Sequence, residues 1–243
     1  MRFLRLFWFH FKQYGSNQYF FWLPVTSTVS IFLLQYVVAY ANDGLANPQL
    51  WINSGVVGLW ASTATAAGSI GFQRFQGTLP YIVNTRYDER GSLIALLLPA
   101  SSYGLLAFPL AYGLAKVTGV MVGSLSLNWL FWVICLWGGA ALMGLLLAAF
   151  FTLTPNALVY ESLIDVPIVL LTGLFGGKAL TRPVMAVSQW LFPITAPISA
   201  LTGNGHLHWD ACIVSITLWV GLTAGITKHI MVLAKKKGTL KVI

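Results

Sequence analysis

The sequence predicts an all-α polytopic membrane protein with six transmembrane helices, an N-terminal interfacial helix and an outer re-entrant hairpin before the last span. Three observations lead to this fold class. Of the 243 residues, 57% are hydrophobic and 8% are charged, whereas a soluble domain normally carries about 25% charged residues. Six apolar segments have the length of about 20 residues that crosses a bilayer. A seventh is interrupted by Pro193 and Pro197.

The six predicted spans together make one transmembrane domain, residues 20–233. They cover residues 20–40, 51–72, 92–116, 127–153, 156–177 and 211–233. Residues 1–19 precede this domain, and a short basic tail of residues 234–243 follows it. We expect this tail to lie at the lipid headgroups in the cytoplasm, because lysines at the end of a span are attracted to anionic lipid.

The distribution of basic residues predicts the orientation. With six spans and a cytoplasmic N-terminus, eleven of the fourteen Lys and Arg residues lie inside and three outside. A seventh span would give six inside and eight outside, against the positive-inside rule. We therefore expect both termini in the cytoplasm of a plasma-membrane protein. The proline-interrupted segment 183–205 then becomes an outer re-entrant hairpin, which is tolerated where protein buries it.

The N-terminal segment has the pattern of an amphipathic helix. Phe3, Phe7, Phe11 and Tyr14 recur at helical spacing, and basic residues lie between them. A helix of this kind lies in the membrane interface.

Small residues recur at four-residue spacing in two spans. The second span contains Ala64 and Gly68, and the fourth contains Ala140, Gly144 and Ala148. Such residues let helix backbones approach closely. The contact could be within the chain or with a second subunit.

The loop between the second and third spans, residues 72–92, concentrates charge in a chain with little of it. Its apolar residues follow roughly helical spacing, Gly77 and Thr78 interrupt them, and a patch of mixed charge follows from Arg86 to Arg90. A segment of this type can lie along the membrane and present polar groups to a cytosolic protein. The alternative is a solvated loop without a partner.

The order of segments and this loop resemble those of ABC-2 type permeases, the membrane subunits of ATP-binding-cassette exporters. Such permeases often carry an arginine, then Gly-Thr and Leu, just after the second span, and Arg74, Gly77, Thr78 and Leu79 match this pattern. The family commonly has an acid after the Leu, where this chain has Pro80. The segment before the last span resembles the family's re-entrant helices.

The resemblance implies that segment 72–92 is a coupling segment, which docks on a separate P-loop ATPase subunit. It also implies a second permease copy or a sister permease. We expect the docking residues to be Gln73, Arg74, Gln76, Gly77, Thr78, Arg86, Asp88, Glu89 and Arg90.

The chain itself carries no ATPase motif. The nearest string to a P-loop, residues 172–180, has Thr172 in place of the first glycine and Ala179 where a hydroxyl must bind magnesium. We expect no catalytic residue, no metal site and no cofactor in this chain, with ATP and magnesium bound by the partner. No nucleic-acid partner is expected, because the basic residues follow the membrane topology.

Two acids in the fifth span are the sharpest candidates for a translocation path. Glu161 and Asp165 are four residues apart and share one face of a helix. Acids inside a membrane usually face a cavity or a partner, and Tyr160 and Asn156 could join them. Alternatively, the span begins later and both acids lie at the headgroups.

These observations predict the permease subunit of an exporter that moves an amphiphilic peptide, antibiotic or small hydrophobic molecule out of the cell. Two other functions stay open. One is a self-sufficient secondary carrier or channel that uses Glu161 and Asp165 as an ion or proton site. The other is a membrane scaffold without transport activity.

Overall fold

The structure, a computed structural model, is entirely helical in the part it describes. It describes residues 2–42, 47–83, 89–123, 125–154, 157–174, 182–203 and 209–237. These residues form eleven α-helices and one 3₁₀ turn and contain no strand. The helices are α1 Arg2–Ser16, α2 Gln18–Ala41, α3 Gln49–Phe75, α4 Leu79–Val83, α5 Glu89–Ser102, α6 Ala107–Thr118, α7 Leu127–Phe151, α8 Ala157–Thr172, α9 Arg182–Leu191, α10 Thr195–Thr202 and α11 Trp209–Lys237, and the 3₁₀ turn is Tyr103–Leu106.

Within the described residues, four helical segments are long and apolar enough to cross a membrane. They are α2, the rod Gly91–Thr118 formed by α5, the 3₁₀ turn and α6, α7, and Trp209–Ala234 of α11. These segments are typical of a helical membrane protein. Helix α3 has 27 residues, about 40 Å, but many of them carry hydroxyl groups. Helix α8 has 16 residues, about 24 Å.

Helix α3 is the centre of the bundle and packs against α2, α5, α6, α7 and α8. Small residues at the crossings explain how it reaches so many neighbours. A Cβ built on Gly58 would lie 1.9 Å from the Thr28 hydroxyl of α2, and one on Gly104 would lie 2.9 Å from the Leu59 carbonyl oxygen. Only glycine fits at positions 58 and 104. Because glycine has no side chain, the crossing segments can approach this closely.

The small residues of α7 make contacts within the chain. Ala140, Gly144 and Ala148 are buried, and a Cβ on Gly144 would lie 2.8 Å from the Thr63 side chain of α3. The interpretation of this stripe as packing between helices of one chain is therefore confirmed.

The proline-interrupted segment forms two short helices, α9 and α10. The prediction that Pro193 breaks it is confirmed, since α9 ends before this residue. The prediction for Pro197 is wrong, because Pro197 lies in the first turn of α10, where a missing N–H costs no hydrogen bond. Helix α10 is almost entirely buried and packs against α7, α3, α9 and α11.

The N-terminal helix α1 turns its predicted aromatic stripe mainly toward the protein. Phe11 stacks on Tyr103 with ring centroids 4.8 Å apart, and Tyr14 is buried against Phe20. Phe3 at the start of the stripe is exposed, as are Leu4, Trp8 and Phe9 on other faces. Helix α1 thus carries both a docking face for α5 and an exposed apolar face.

Candidate functional site

The end of α3 is a tight turn built on Gly77. Gly77 has a φ of 70°, a left-handed conformation that glycine adopts without strain. Its N–H donates to the Arg74 carbonyl at 2.9 Å, and the Thr78 N–H donates to the Gln73 carbonyl at 3.0 Å. This pair of bonds is the Schellman motif, which ends helices. The predicted interruption at Gly77 and Thr78 is confirmed, and α4 begins directly after it.

The side chains of Gln73 and Thr78 reinforce the same turn. The Thr78 hydroxyl lies 3.0 Å from the Gln73 carbonyl and also contacts Gln73 Oε1. Gln73 is buried, with 3% of its surface exposed. Within this chain, Gln73 and Thr78 therefore hold the shape of the turn, and Gln73 offers a partner little surface.

Arg74 is buried and binds the end of another helix. Its side chain is 5% exposed, and Nη2 donates to the carbonyls of Phe151 at 3.0 Å and Thr152 at 2.8 Å. Nη1 donates to the carbonyl of Thr154. Phe151 is the last residue of α7, and Thr152 and Thr154 follow it. Carbonyls at a helix C-terminus have no partner within the helix.

The charge of Arg74 also suits this position. A cation at a helix C-terminus is stabilised by the helix dipole. A guanidinium stays protonated in proteins. Each hydrogen bond from a charged donor stabilises the structure by about 1.5–3 kcal/mol. Arg74 therefore joins the ends of α3 and α7.

The exposed part of the turn consists of other residues. Phe75 is 82% exposed and Tyr81 is 80% exposed, and Gln76 and Gly77 between them are exposed as well. Leu79 is fully buried and fixes α4 against the protein. We call Phe75, Gln76, Gly77 and Tyr81 the elbow surface. Its position at the end of the central helix makes it a candidate docking surface.

The remaining docking candidates are four charged residues between positions 86 and 90 of the sequence. Arg86 and Asp88 lie outside the described residues. Glu89 and Arg90 form the first turn of α5, and their side chains lie outside what the structure describes. Their role as docking residues stays a prediction.

Helix α1 meets α3 beside this turn. Tyr14 is 2% exposed, and its hydroxyl faces Ser69 and Gln73 without a hydrogen bond of good geometry. Burial raises the pKa of Tyr14 to about 12. The Tyr103 hydroxyl donates to the Phe11 carbonyl at 2.7 Å. Tyr14 of α1 therefore lies beside the end of α3, next to the residue that binds the end of α7.

A second candidate site is a groove between α2, α3 and α8 with a volume of about 490 Å³. Thr26, Ser27 and Ser30 of α2 contribute hydroxyl groups to one wall. Apolar residues form the opposite walls, among them Trp60 of α3 and Val169 of α8. Aliphatic walls with a row of hydroxyls suit an amphiphilic ligand without net charge.

The groove continues along α2 and α3 toward the elbow. A further space of about 550 Å³ lies between the N-terminal end of α2, with the capping residue Asn17 and with Tyr19 and Phe20, and the stretch of α3 from Thr65 to Phe75. Residues 57, 61, 65, 68, 72 and 75 of α3 contribute to the two spaces and follow the spacing of one helix face. We call the two spaces together the α2–α3 groove.

The predicted acids lie on α8, one wall of this groove. Glu161 and Asp165 belong to α8, and the residues of α8 that line the groove are Val166, Val169 and Leu170. The side chains of both acids lie outside what the structure describes, as does the whole of Asn156. Tyr160 is 46% exposed.

The chain matches no protein-family model, no curated protein and no solved structure. The likeness to ABC-2 permeases therefore rests on the residues of the loop and on the order of the segments.

Two parts of the site were missed by the sequence reasoning. Phe75 and Tyr81 are the most exposed residues of the elbow. Phe75 is one of the apolar residues that follow roughly helical spacing in segment 72–92, a pattern that does not predict its exposure. Its position two residues before Gly77 was the signal, because a helix that stops there exposes its last turn. The sequence alone does not single out the hydroxyl groups of Thr26, Ser27 and Ser30. Their spacing along α2 would be the same whether they line a groove or pack against another helix.

Proposed function

We propose that the chain is the membrane-spanning subunit of an ATP-driven exporter of the ABC-2 type. The observation that carries the proposal is the elbow, a capped turn at the end of the central helix with its exposed aromatic side chains and Gln76. The turn is fixed by Gln73, Arg74 and Thr78, so a protein that grips the elbow surface moves α3 rather than a loose loop. This is the property that a coupling segment needs.

The central position of α3 supports the same function. It packs against α2, α5, α6, α7 and α8 and also against α4 and α10. A displacement of its end would therefore shift helices across the bundle. In the proposed mechanism, ATP binding draws two partner ATPase subunits together, and the elbow transfers that movement to α3. ATP and magnesium belong to the partner, and this chain supplies the docking surface and the membrane path.

The order of elements supports six spans and a re-entrant hairpin. Helix α3 becomes the second span and α8 the fifth, and buried α10 forms the inner arm of the hairpin with half-exposed α9 as the other arm. Both termini lie on the cytoplasmic side of the plasma membrane, and the exposed apolar face of α1 lies in the membrane interface. A hairpin of this kind needs protein around it, and α10 has α3, α7 and α11 on its sides.

The α2–α3 groove is the proposed half of the translocation path. It is open along its length, so a second permease copy or a sister permease would be needed to enclose it. Its described lining contains hydroxyl, amide, aromatic and aliphatic groups and no charged side chain. The proposed substrate is accordingly an amphiphilic peptide, antibiotic or small hydrophobic molecule, and Glu161, Asp165, Tyr160 and Asn156 would lie along the α8 side of the path.

The test is co-purification of the tagged chain from detergent-solubilised native membranes. We expect a P-loop ATPase to accompany the wild type and to be lost from the variant Phe75→Ala/Gln76→Ala/Tyr81→Ala. The matched control is Met121→Ala/Leu125→Ala/Leu127→Ala, which removes three exposed apolar side chains, two between α6 and α7 and one at the start of α7. This control should retain the ATPase.

The opposite result would favour a different class of protein. If no ATPase accompanies the folded wild type, the exporter proposal fails, and a secondary carrier becomes the next function to test. Transport driven by an ion gradient should then be lost in Glu161→Gln/Asp165→Asn.

A further inference from the structure

The contact between Arg74 and α7 has a consequence for how movement would pass through the bundle. Residues 74 and 151–154 are far apart in the chain, yet three carbonyls at the end of α7 accept hydrogen bonds from one buried guanidinium. A guanidinium is a rigid planar fork. Its bonds therefore fix orientation as well as distance between the two helix ends.

We propose that Arg74 is a positioning residue that makes the ends of α3 and α7 move as one body when the elbow is displaced. The inference rests on the proposed function, since it assigns a route for the movement that a docked ATPase would impose. Arg74 has no surface for the partner and acts only through α7. Phe75 and Gln76, the next residues along the chain, carry the exposed contact.

The surroundings of Arg74 favour a rigid unit over a flexible one. Thr152 is fully buried, and its hydroxyl donates to the Ala149 carbonyl at 2.6 Å and lies 3.8 Å from Met231 Sδ of α11. One apolar cluster includes Phe151, Met231, Leu79 and Tyr14. The end of α7 is thereby packed against α11 as well as bonded to α3, within an apolar cluster that also includes residues of α4 and α1.

Loss of the bonds would free α7 from the elbow. In Arg74→Gln, the shorter amide cannot reach three carbonyls with the geometry of a fork, and the end of α7 would keep only its apolar contacts. In Arg74→Lys, the charge at the helix end stays, but a single ammonium replaces the planar fork. We expect Arg74→Lys to behave between the wild type and Arg74→Gln.

The experiment measures distances between spin labels in the complex of this chain with its co-purified ATPase. In a background of Cys135→Ser and Cys212→Ser, one label replaces Phe72, an exposed residue of α3 outside the elbow surface, and a second replaces Phe150 near the end of α7. A third position, Leu125 between α6 and α7, serves as the reference. Labelled chains are diluted with unlabelled ones, and spectra are recorded without nucleotide and with ATP trapped by vanadate.

In the wild type, we expect trapping to change the 72–125 and 150–125 distances together and to leave the 72–150 distance unchanged. In Arg74→Gln, the 72–125 distance should still change, while the 150–125 change is lost and the 72–150 distribution broadens. The control Lys116→Gln removes an exposed cation from the last turn of α6 and should behave as the wild type.

Two results would overturn the inference and leave the exporter proposal intact. One is independent movement of the labels at 72 and 150 in the wild type, and the other is a response of Arg74→Gln equal to that of the wild type. If Arg74→Gln does not fold, the wild-type distances decide by themselves. Absence of any co-purified ATPase is a separate outcome, which removes the proposed function and with it this inference.

Discussion

Tyr103 and Gly15 are in such close contact that α1 can dock only because residue 15 has no side chain. The Tyr103 hydroxyl lies 2.5 Å from the position that a Cβ of residue 15 would occupy, and the same hydroxyl donates to the Phe11 carbonyl at 2.7 Å. One tyrosine of the 3₁₀ turn therefore fixes both the position and the rotation of the N-terminal helix.

Gly15→Ala should therefore weaken the docking of α1, although alanine normally favours a helix over glycine by about 0.8–1.0 kcal/mol. Forced overpacking costs about 1–3 kcal/mol, which outweighs that gain. Thermal unfolding in detergent should show a lower midpoint. Tyr103→Phe removes the clash, so the double variant should regain part of the loss. Gly138→Ala is the control, because nothing lies within 4 Å of a Cβ there, and it should not lower the midpoint.

Gly58→Ala should be the more damaging glycine variant. A Cβ at position 58 would meet the Thr28 hydroxyl at 1.9 Å and Ala107 Cβ at 2.8 Å, so neither α2 nor α6 could keep its distance from α3. Yield after detergent extraction and the unfolding midpoint should both fall. Thr28→Ala should not restore Gly58→Ala fully, since the contact with Ala107 remains. Full restoration would show that the crossing with α6 is looser than described.

His10 should make the docking of α1 dependent on pH. The side chain is 7% exposed, and burial lowers the pKa of His10 below its ordinary value of 6.5. The undocked imidazole therefore binds a proton at a higher pH than the docked one, and docking weakens as the pH falls below about 6.5. Hydrogen exchange of the α1 amides, corrected for intrinsic rates, should rise relative to neutral pH.

The matched variant His10→Gln should lack this dependence. Glutamine keeps a polar side chain at the position but does not titrate. If wild type and His10→Gln respond equally to pH, the response comes from other groups.

Arg74→Gln should destabilise the folded chain in addition to its effect on movement. It leaves the carbonyls of Phe151, Thr152 and Thr154 at a buried helix end without their donor, and each unsatisfied buried group costs about 1–3 kcal/mol. The unfolding midpoint in detergent should fall more than in Lys12→Gln, which removes an exposed cation from α1. Equal midpoints for the two variants would contradict the capping role.

The course of the helices could largely be predicted from the sequence, because apolar periodicity and breakers act locally. The observed α7 begins at the predicted residue 127, and Gly77 and Pro193 interrupt the chain where expected. Pro197 misled the prediction because a proline breaks a helix only beyond its first turn.

The burial of Arg74 could not be predicted, since its three acceptors lie 77–80 residues further along the chain. A basic residue beside a helix end is indistinguishable, in sequence, from one that faces water. The α2–α3 groove could not be predicted for the same reason. Its walls include Ser27 of α2, Trp60 of α3 and Val169 of α8, which come together only through tertiary packing.

The proposed docking of a separate ATPase on the elbow surface is tested most directly by cross-linking in native membranes. Gln76→Cys in the background Cys135→Ser/Cys212→Ser is labelled with a photoreactive benzophenone maleimide and irradiated, with Leu125→Cys as the matched control. We predict an adduct at position 76 that contains a P-loop ATPase, and none at position 125. Two results would contradict this docking. One is a folded chain that yields no ATPase adduct at position 76, and the other is the same adduct at both positions.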